Sequence, residues 1–181
     1  MQKSFFSYLL LLSVLMAQPF IIQPTTQSVD SQNLAYAAVA DLQPQDVWRI
    51  FADISKYPRG SYHEDEIARY VMDQAAQYNC TATKDSVGNV IVRKPASSPM
   101  YSGAPIVVIQ CHLDMVCEKN KSVVHDFTKD PIRFVRKGNH LYADGTTLGA
   151  DNGLGVAAAL AIMRSNNLVH GPLEFLYTVV E

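Results

Sequence analysis

The spacing of apolar positions changes period several times along the chain, and each change predicts an element. Val47, Ile50, Phe51 and Ile54 recur at helical spacing, with Pro44 suited to a first turn. Tyr57-Pro58-Arg59-Gly60 breaks that helix. Ser61-Tyr62-His63-Glu64 then has the S-x-x-E form of a capping box. Ile67, Tyr70, Val71 and Ala75 predict a second amphipathic helix that ends before Asn79. Thr81 to Asp85 and Asn89 to Arg93 predict two short strands joined around Val87-Gly88. Lys94 to Ala104, with its Pro, Ser and Gly, predicts a surface loop.

Pro105-Ile106-Val107-Val108-Ile109-Gln110-Cys111 is a continuous, mostly β-branched run. Such a run predicts a strand buried on both faces, in a parallel or mixed sheet under helices. From Cys117 to Lys137 the chain is polar and mixed, and predicts loop with a short strand. Gly138-Asn139 predicts a turn, with a strand His140 to Ala143 after it. Leu154 to Met163 is an alanine-rich apolar helix able to lie close on a sheet, ended by Asn166-Asn167. Leu173 to Val180 predicts another buried strand. Strand, helix, strand in this order implies an α/β layer architecture with a mixed sheet between helices.

Ahead of these elements, Lys3 precedes an apolar run from Phe5 to Met16. That run is short for a spanning helix and suits the h-region of a signal peptide. Ala38-Val39-Ala40 and Leu15-Met16-Ala17 are the candidate cleavage sites. Export to the periplasm or outside the cell is the expectation, with a cytoplasmic protein as the alternative if translation starts at Met16. Residues 1–40 are then a leader, polar from Gln18 to Ala40, and the domain runs over residues 41–181.

Composition narrows the class. The 181 residues are 48% hydrophobic and 18% charged, which suits one folded domain. Lys+Arg 15 against Asp+Glu 17 leaves a net charge of -2 and no basic footprint for nucleic acid. Three cysteines, Cys80, Cys111 and Cys117, at irregular spacing are no disulfide framework.

The candidate chemistry sits at strand ends. His112 and Asp114 close the apolar run, the end where α/β sheets bind ligands. Asp151 lies among glycines in Thr146-Thr147-Leu148-Gly149-Ala150-Asp151-Asn152-Gly153-Leu154-Gly155, and Glu181 follows the last strand. A carboxylate in such a run is costly to bury unless it is paired or bound to a metal. Histidine and carboxylates are the usual ligands of a catalytic zinc, and a carboxylate can bridge two metals. A free glutamate beside them can take a proton from water, and Asp114 can fix the tautomer of His112. The competing explanations are plain ones. Asp151 could cap the following helix, and Glu181 could be an ordinary residue. His63 and His125 compete weakly as ligands. Cys111 or Cys117 could be a nucleophile, but Cys111 alternates away from His112. Neither a G-x-S-x-G elbow nor a phosphate-cradling G-x-x-x-x-G-K is present.

From about Leu42 to Glu181 the chain resembles the aminoacyl-histidine dipeptidases (cytosol non-specific dipeptidases) of the M20 metallopeptidase family. The resemblance is carried by Pro58-Arg59-Gly60-Ser61-Tyr62-His63-Glu64, Val87-Gly88-Asn89, His112-Leu113-Asp114-Met115-Val116, His125-Asp126-Phe127-Thr128-Lys129-Asp130-Pro131, Gly145 to Gly155, and His170-Gly171-Pro172-Leu173-Glu174. It implies a catalytic domain with two zinc ions per complete site and a dipeptide substrate, of Xaa-His type or broader. It implies His112 as a zinc ligand, Asp114 as the acid orienting it, and Asp151 as the carboxylate bridging both zincs, with a cis peptide after it. Glu181 is implied as the general base; substrate-binding residues are not identified.

In the family a second Glu, a further Asp, a distant His and a lid domain follow the position of Glu181. The lid serves substrate binding and dimerisation, so a homodimer is implied for full-length members, with no nucleic-acid partner and no membrane role beyond the signal. This chain supplies His112 and Asp151 alone as metal ligands, so weak zinc binding and little or no activity are expected of it as written. The strand Leu173 to Val180 is expected to form an exposed apolar edge that limits solubility. Two other functions fit these residues: a non-catalytic truncated product or interaction fragment, and another M20 amidohydrolase such as an aminoacylase.

Overall fold

The computed structural model describes residues 26–181. Its elements are α1 (Thr26–Ala38), α2 (Gln45–Ile54), α3 (Asp65–Gln77), β1 (Thr81–Lys84), β2 (Val90–Lys94), β3 (Val107–His112), β4 (Phe134–Lys137), β5 (His140–Ala143), α4 (Ala150–Arg164) and β6 (Leu173–Thr178). The fold is α/β, with a mixed four-stranded sheet in the order β1-β2-β6-β3. Strands β1, β2 and β6 pair antiparallel, and β3 runs parallel to β6. The hairpin β4-β5 stands apart from this sheet.

The predicted helices and strands form, with physical reasons visible in the packing. The apolar stripe of α2 buries Ile50, Phe51 and Ile54, and α2 packs on α4. Small residues make that approach close: Gly153, Ala157 and Ala159 are buried with Val156, Leu160 and Met163 along α4. Between β1 and β2 the Asp85 carboxylate accepts the backbone N–H of Val87, Gly88 and Asn89, which closes the turn. Phe51 stacks on Phe134 at 5.0 Å between ring centres and ties the hairpin to the helical layer.

Lys94, expected in a loop, ends β2 and is buried. Its ammonium donates to the carbonyls of Met163, Ile162 and Ser165 at the C-terminal end of α4. Burial without a carboxylate partner pulls its pKa below the ordinary lysine value.

Three expectations are corrected. First, the fold begins before Asp41. Helix α1 covers part of the expected leader, Ala35 and Val39 are fully buried, and Gln32 donates to Ala52 O. Within the candidate cleavage site Ala38-Val39-Ala40, Val39 is part of the core cluster, Ala38 packs against it and Ala40 is exposed. The apolar run Phe5 to Met16 lies outside the described residues.

Second, the exposed apolar edge is β3, not β6. Strand β6 is central, with β2 on one side and β3 on the other. Val107 and Val108 are 55% and 56% exposed. A β-branched run fits a half-covered edge as well as a doubly covered centre, so the run alone could not separate them. Helices α3 and α4 cover the face that carries Val90, Val92, Phe175 and Tyr177. Third, Ser61 and Glu64 form no capping box. Glu64 is the N-cap of α3 without a side-chain bond to the helix, and both side chains turn elsewhere. Among the described residues, no helix is long and apolar enough to cross a membrane.

Candidate metal centre

His112 ends β3, and Asp114 follows where the chain leaves the sheet. Leu113 N–H donates to Thr178 O at 2.8 Å, extending the β3-β6 pairing to that point. Met115 N–H donates to Arg59 O at 2.8 Å, which ties the same segment to the turn before α3. Asp151 stands on the first turn of α4. The turn into that helix passes through Gly149 at φ +70, a left-handed conformation that favours glycine. The Asp151–Asn152 peptide is cis, at the position the resemblance implies.

These segments bring four predicted residues together. His112 Nδ1 faces Asp114 Oδ1 at 3.2 Å and Asp114 O at 3.1 Å. His112 Nε2 faces Asp151 Oδ1 at 3.2 Å and Glu181 Oε2 at 3.0 Å. Asp114 is buried, while the side chains of Asp151 and Glu181 are 96% and 72% exposed. All four line one cleft of about 600 Å³, with Ser61, Gln110, Met115, Val116 and the 147–150 segment.

The arrangement of donors and acceptors is uneven. With its proton on Nδ1, directed at Asp114, His112 presents a lone pair at Nε2. In that tautomer Asp151 Oδ1 and Glu181 Oε2 both face the lone pair, a place a cation could fill; with the proton on Nε2 the ring would donate to them instead. Two ligands on a tetrahedral zinc at about 2.0–2.1 Å lie about 3.3 Å apart, close to the 3.2 Å between His112 Nε2 and Asp151 Oδ1. The fit is that of two donors with a glutamate beside them. Among the described residues, no group of three or more His, Cys, Asp or Glu is arranged to hold an ion.

Sequence reasoning missed the residues that hold this cluster in place. Ser61 Oγ donates to Asp114 Oδ2 at 2.7 Å. Glu64, buried, accepts Val180 N–H at 3.2 Å, and Glu181 N–H donates to the Asp114 carboxylate at 3.4 Å. So Ser61 and Glu64 bind the site instead of the helix. Arg59 is 3% exposed, and its guanidinium donates to Leu113 O at 3.1 Å, Asp114 O at 3.4 Å and Gly149 O. The signal for all three is their place in Pro58-Arg59-Gly60-Ser61-Tyr62-His63-Glu64, a segment that carries the resemblance and locally predicts a helix break and a cap.

The weaker candidates fall away from the cleft. His63 is exposed, His125 packs edge-on against Phe127, and neither lines it. Cys111 is buried on the helix-covered face, and burial pushes its thiol up to about 12. Cys117 is also raised, chiefly by burial, so neither thiol is an activated nucleophile.

No family model matches the chain. It is 50% identical over 143 residues to the cytosol non-specific dipeptidase of Escherichia coli (strain K12), a match covering 79% of this chain and 29% of that protein. The crystal structure of aminoacylhistidine dipeptidase from Vibrio alginolyticus matches with a TM-score of 0.75 and 41% identity, over 79% of this chain and 29% of that one. The aminopeptidase PepT of Bacillus cereus matches in fold, with a TM-score of 0.60 and 22% identity, over 75% of this chain and 36% of that one. The chain thus spans less than a third of the length of its first two relatives. The Escherichia coli protein is named for the cytosol, and this overturns the expectation of export drawn from Lys3 and the run after it. The chain belongs to the aminoacyl-histidine dipeptidase group of the M20 metallopeptidase family.

Proposed function

We propose that the protein to which these residues belong hydrolyses dipeptides with zinc, and that His112 and Asp151 are zinc ligands. The observation that carries this is the approach of Asp151 Oδ1, at 3.2 Å, and Glu181 Oε2, at 3.0 Å, to His112 Nε2 in one open cleft. A metal there supplies Lewis acidity toward the peptide carbonyl and makes the attacking water more acidic.

The chain's own groups divide the remaining work. Asp114 accepts from His112 Nδ1 and keeps Nε2 directed into the cleft. Ser61 and the Glu181 N–H hold the Asp114 carboxylate from its other sides. Glu181, with its side chain largely open to solvent, is placed to take the proton of the attacking water and return it to the leaving amine. The cleft volume of about 600 Å³ suits a small substrate such as a dipeptide. The full-length protein is proposed as a homodimer, as the resemblance implies. Dipeptides of Xaa-His type are the first substrates to test, with N-acyl amino acids as the contrast. Metal-loaded full-length protein should cleave the dipeptides and lose that activity with a chelator. Preference for N-acyl amino acids, or activity untouched by chelation, would sink the proposal.

These 181 residues supply only two zinc ligands by this account, and a catalytic zinc takes three protein ligands plus water. A polypeptide of these residues alone is therefore proposed to bind zinc weakly and to turn over little substrate. Turnover equal to that of the full-length protein would contradict this.

A further inference from the structure

We propose that Arg59 is the positioning residue of the metal centre: it sets the distance between the His112–Asp114 segment and the Asp151 turn. The inference rests on His112 and Asp151 being the metal ligands.

Arg59 lies in the turn between α2 and α3, outside both segments it touches. One guanidinium nitrogen, Nη1, donates to Leu113 O at 3.1 Å and Asp114 O at 3.4 Å. The other, Nη2, donates to Gly149 O, two residues before Asp151. Arg59 O accepts Met115 N–H, and Gly60 bridges Met115, so main chain and side chain grip one segment together. A planar fork with fixed spacing between its nitrogens can span two backbones, whereas an ammonium is a single point.

The packing shows that the span is built around this group. A Cβ on Gly149 would meet Arg59 Nη2 at 2.4 Å, and one on Gly153 would meet it at 2.6 Å. Two of the glycines flanking Asp151 thus make room for the guanidinium itself. Its partners are neutral carbonyls, and burial draws its pKa down to about 10, so it stays charged at neutral pH. A cation kept this deep, bonded to carbonyls with the Asp114 charge nearby, serves geometry at some cost in desolvation. Loosening it lets the β3 end and the α4 turn move relative to each other, and the 3.2 Å spacing of His112 and Asp151 depends on both.

Lys94 provides the control. Among the described residues it is the other buried cation bonded to carbonyls alone, and it grips the far end of the same helix, away from the cleft. The experiment is a calorimetric zinc titration of the full-length protein and its R59K, G153A, F51L, K94M and H112A variants, each beside its thermal melt. Zinc dissociation constants should rise about 10–100-fold in R59K, the range for residues that orient metal ligands. G153A keeps the arginine but crowds Nη2 and Phe51 together, so it is read beside F51L, which alters the packing alone: G153A should weaken zinc in the same direction and F51L should bind it as the parent does. K94M should melt earlier and bind zinc as the parent does. A folded R59K with unchanged zinc affinity overturns the proposal, as does equal weakening in K94M. If R59K does not fold, G153A decides beside F51L: binding weakened beyond that of F51L supports the role, and binding no weaker than that of F51L overturns it. H112A guards the premise. If it binds zinc like the parent, the ligand assignment fails; if it loses zinc while R59K keeps it, the positioning role alone fails.

Discussion

Ser61 Oγ donates to Asp114 Oδ2 at 2.7 Å, joining the turn before α3 to the buried acid behind His112. A serine in an S-x-x-E pattern would ordinarily serve the helix that follows it. Here the helix begins without it, and the hydroxyl satisfies a carboxylate that 4% exposure would otherwise leave short of donors. The S61A variant should lose about 1.5–3 kcal/mol of stability, the range for a hydrogen bond to a charged group. Urea unfolding checks this, and a loss below about 0.5 kcal/mol, the range of ordinary surface changes, would show that water replaces the hydroxyl.

Asp151 allows stability and metal binding to be separated. Its side chain is 96% exposed and faces only His112 Nε2 among the bonds described. A D151N variant should therefore stay within about 0.5 kcal/mol of the parent, as surface substitutions do. Zinc binding should nevertheless fall sharply, because the amide keeps the shape and loses the charge. Unaltered zinc affinity in D151N would remove Asp151 from the ligand set.

Cys111 sets an alkaline limit. Burial raises its thiol from the ordinary value near 9 to about 12 in the fold. A group raised in the folded state contributes stability that is complete below its unfolded value and lost as pH rises through the folded one. Stability should thus decline between about pH 9 and pH 12, by up to about 1.4 kcal/mol per pH unit from this group. C111A should start lower, from the cavity it leaves, and show a shallower decline over the same window. Parallel slopes for parent and variant would exclude the thiol as the cause.

The edge of the sheet predicts self-association. Val107 and Val108 are exposed on β3, beside Ile106, and the outer side of that strand has no neighbour among the described strands. An apolar open edge templates pairing with another chain, and a lysine on it opposes that pairing. V108K should reduce concentration-dependent association in sedimentation experiments and leave the melting temperature nearly unchanged. Association that persists in V108K would place the sticky surface elsewhere.

What the sequence determined by itself was local periodicity and local chemistry. Helical spacing located α2 and α3, turn residues located the β1-β2 and β4-β5 hairpins, and the glycine run marked the turn that carries Asp151. Strand ends placed His112, Asp114 and Glu181 where one cleft could collect them. These features depend on neighbours a few residues apart, which is the range over which dihedral preference and side-chain period act.

Tertiary structure alone decided three things. It chose β6 as the central strand and β3 as the edge, since an apolar run is compatible with either place. It drew α1 into the core through Ala35 and Val39, whose burial depends on partners far along the chain. And it turned Arg59, Ser61 and Glu64 from a helix break and a cap into the supports of the site. Their partners lie between 53 and 116 residues away in sequence. A donor's choice among distant acceptors is fixed only when the fold has brought them together, so no local pattern records it.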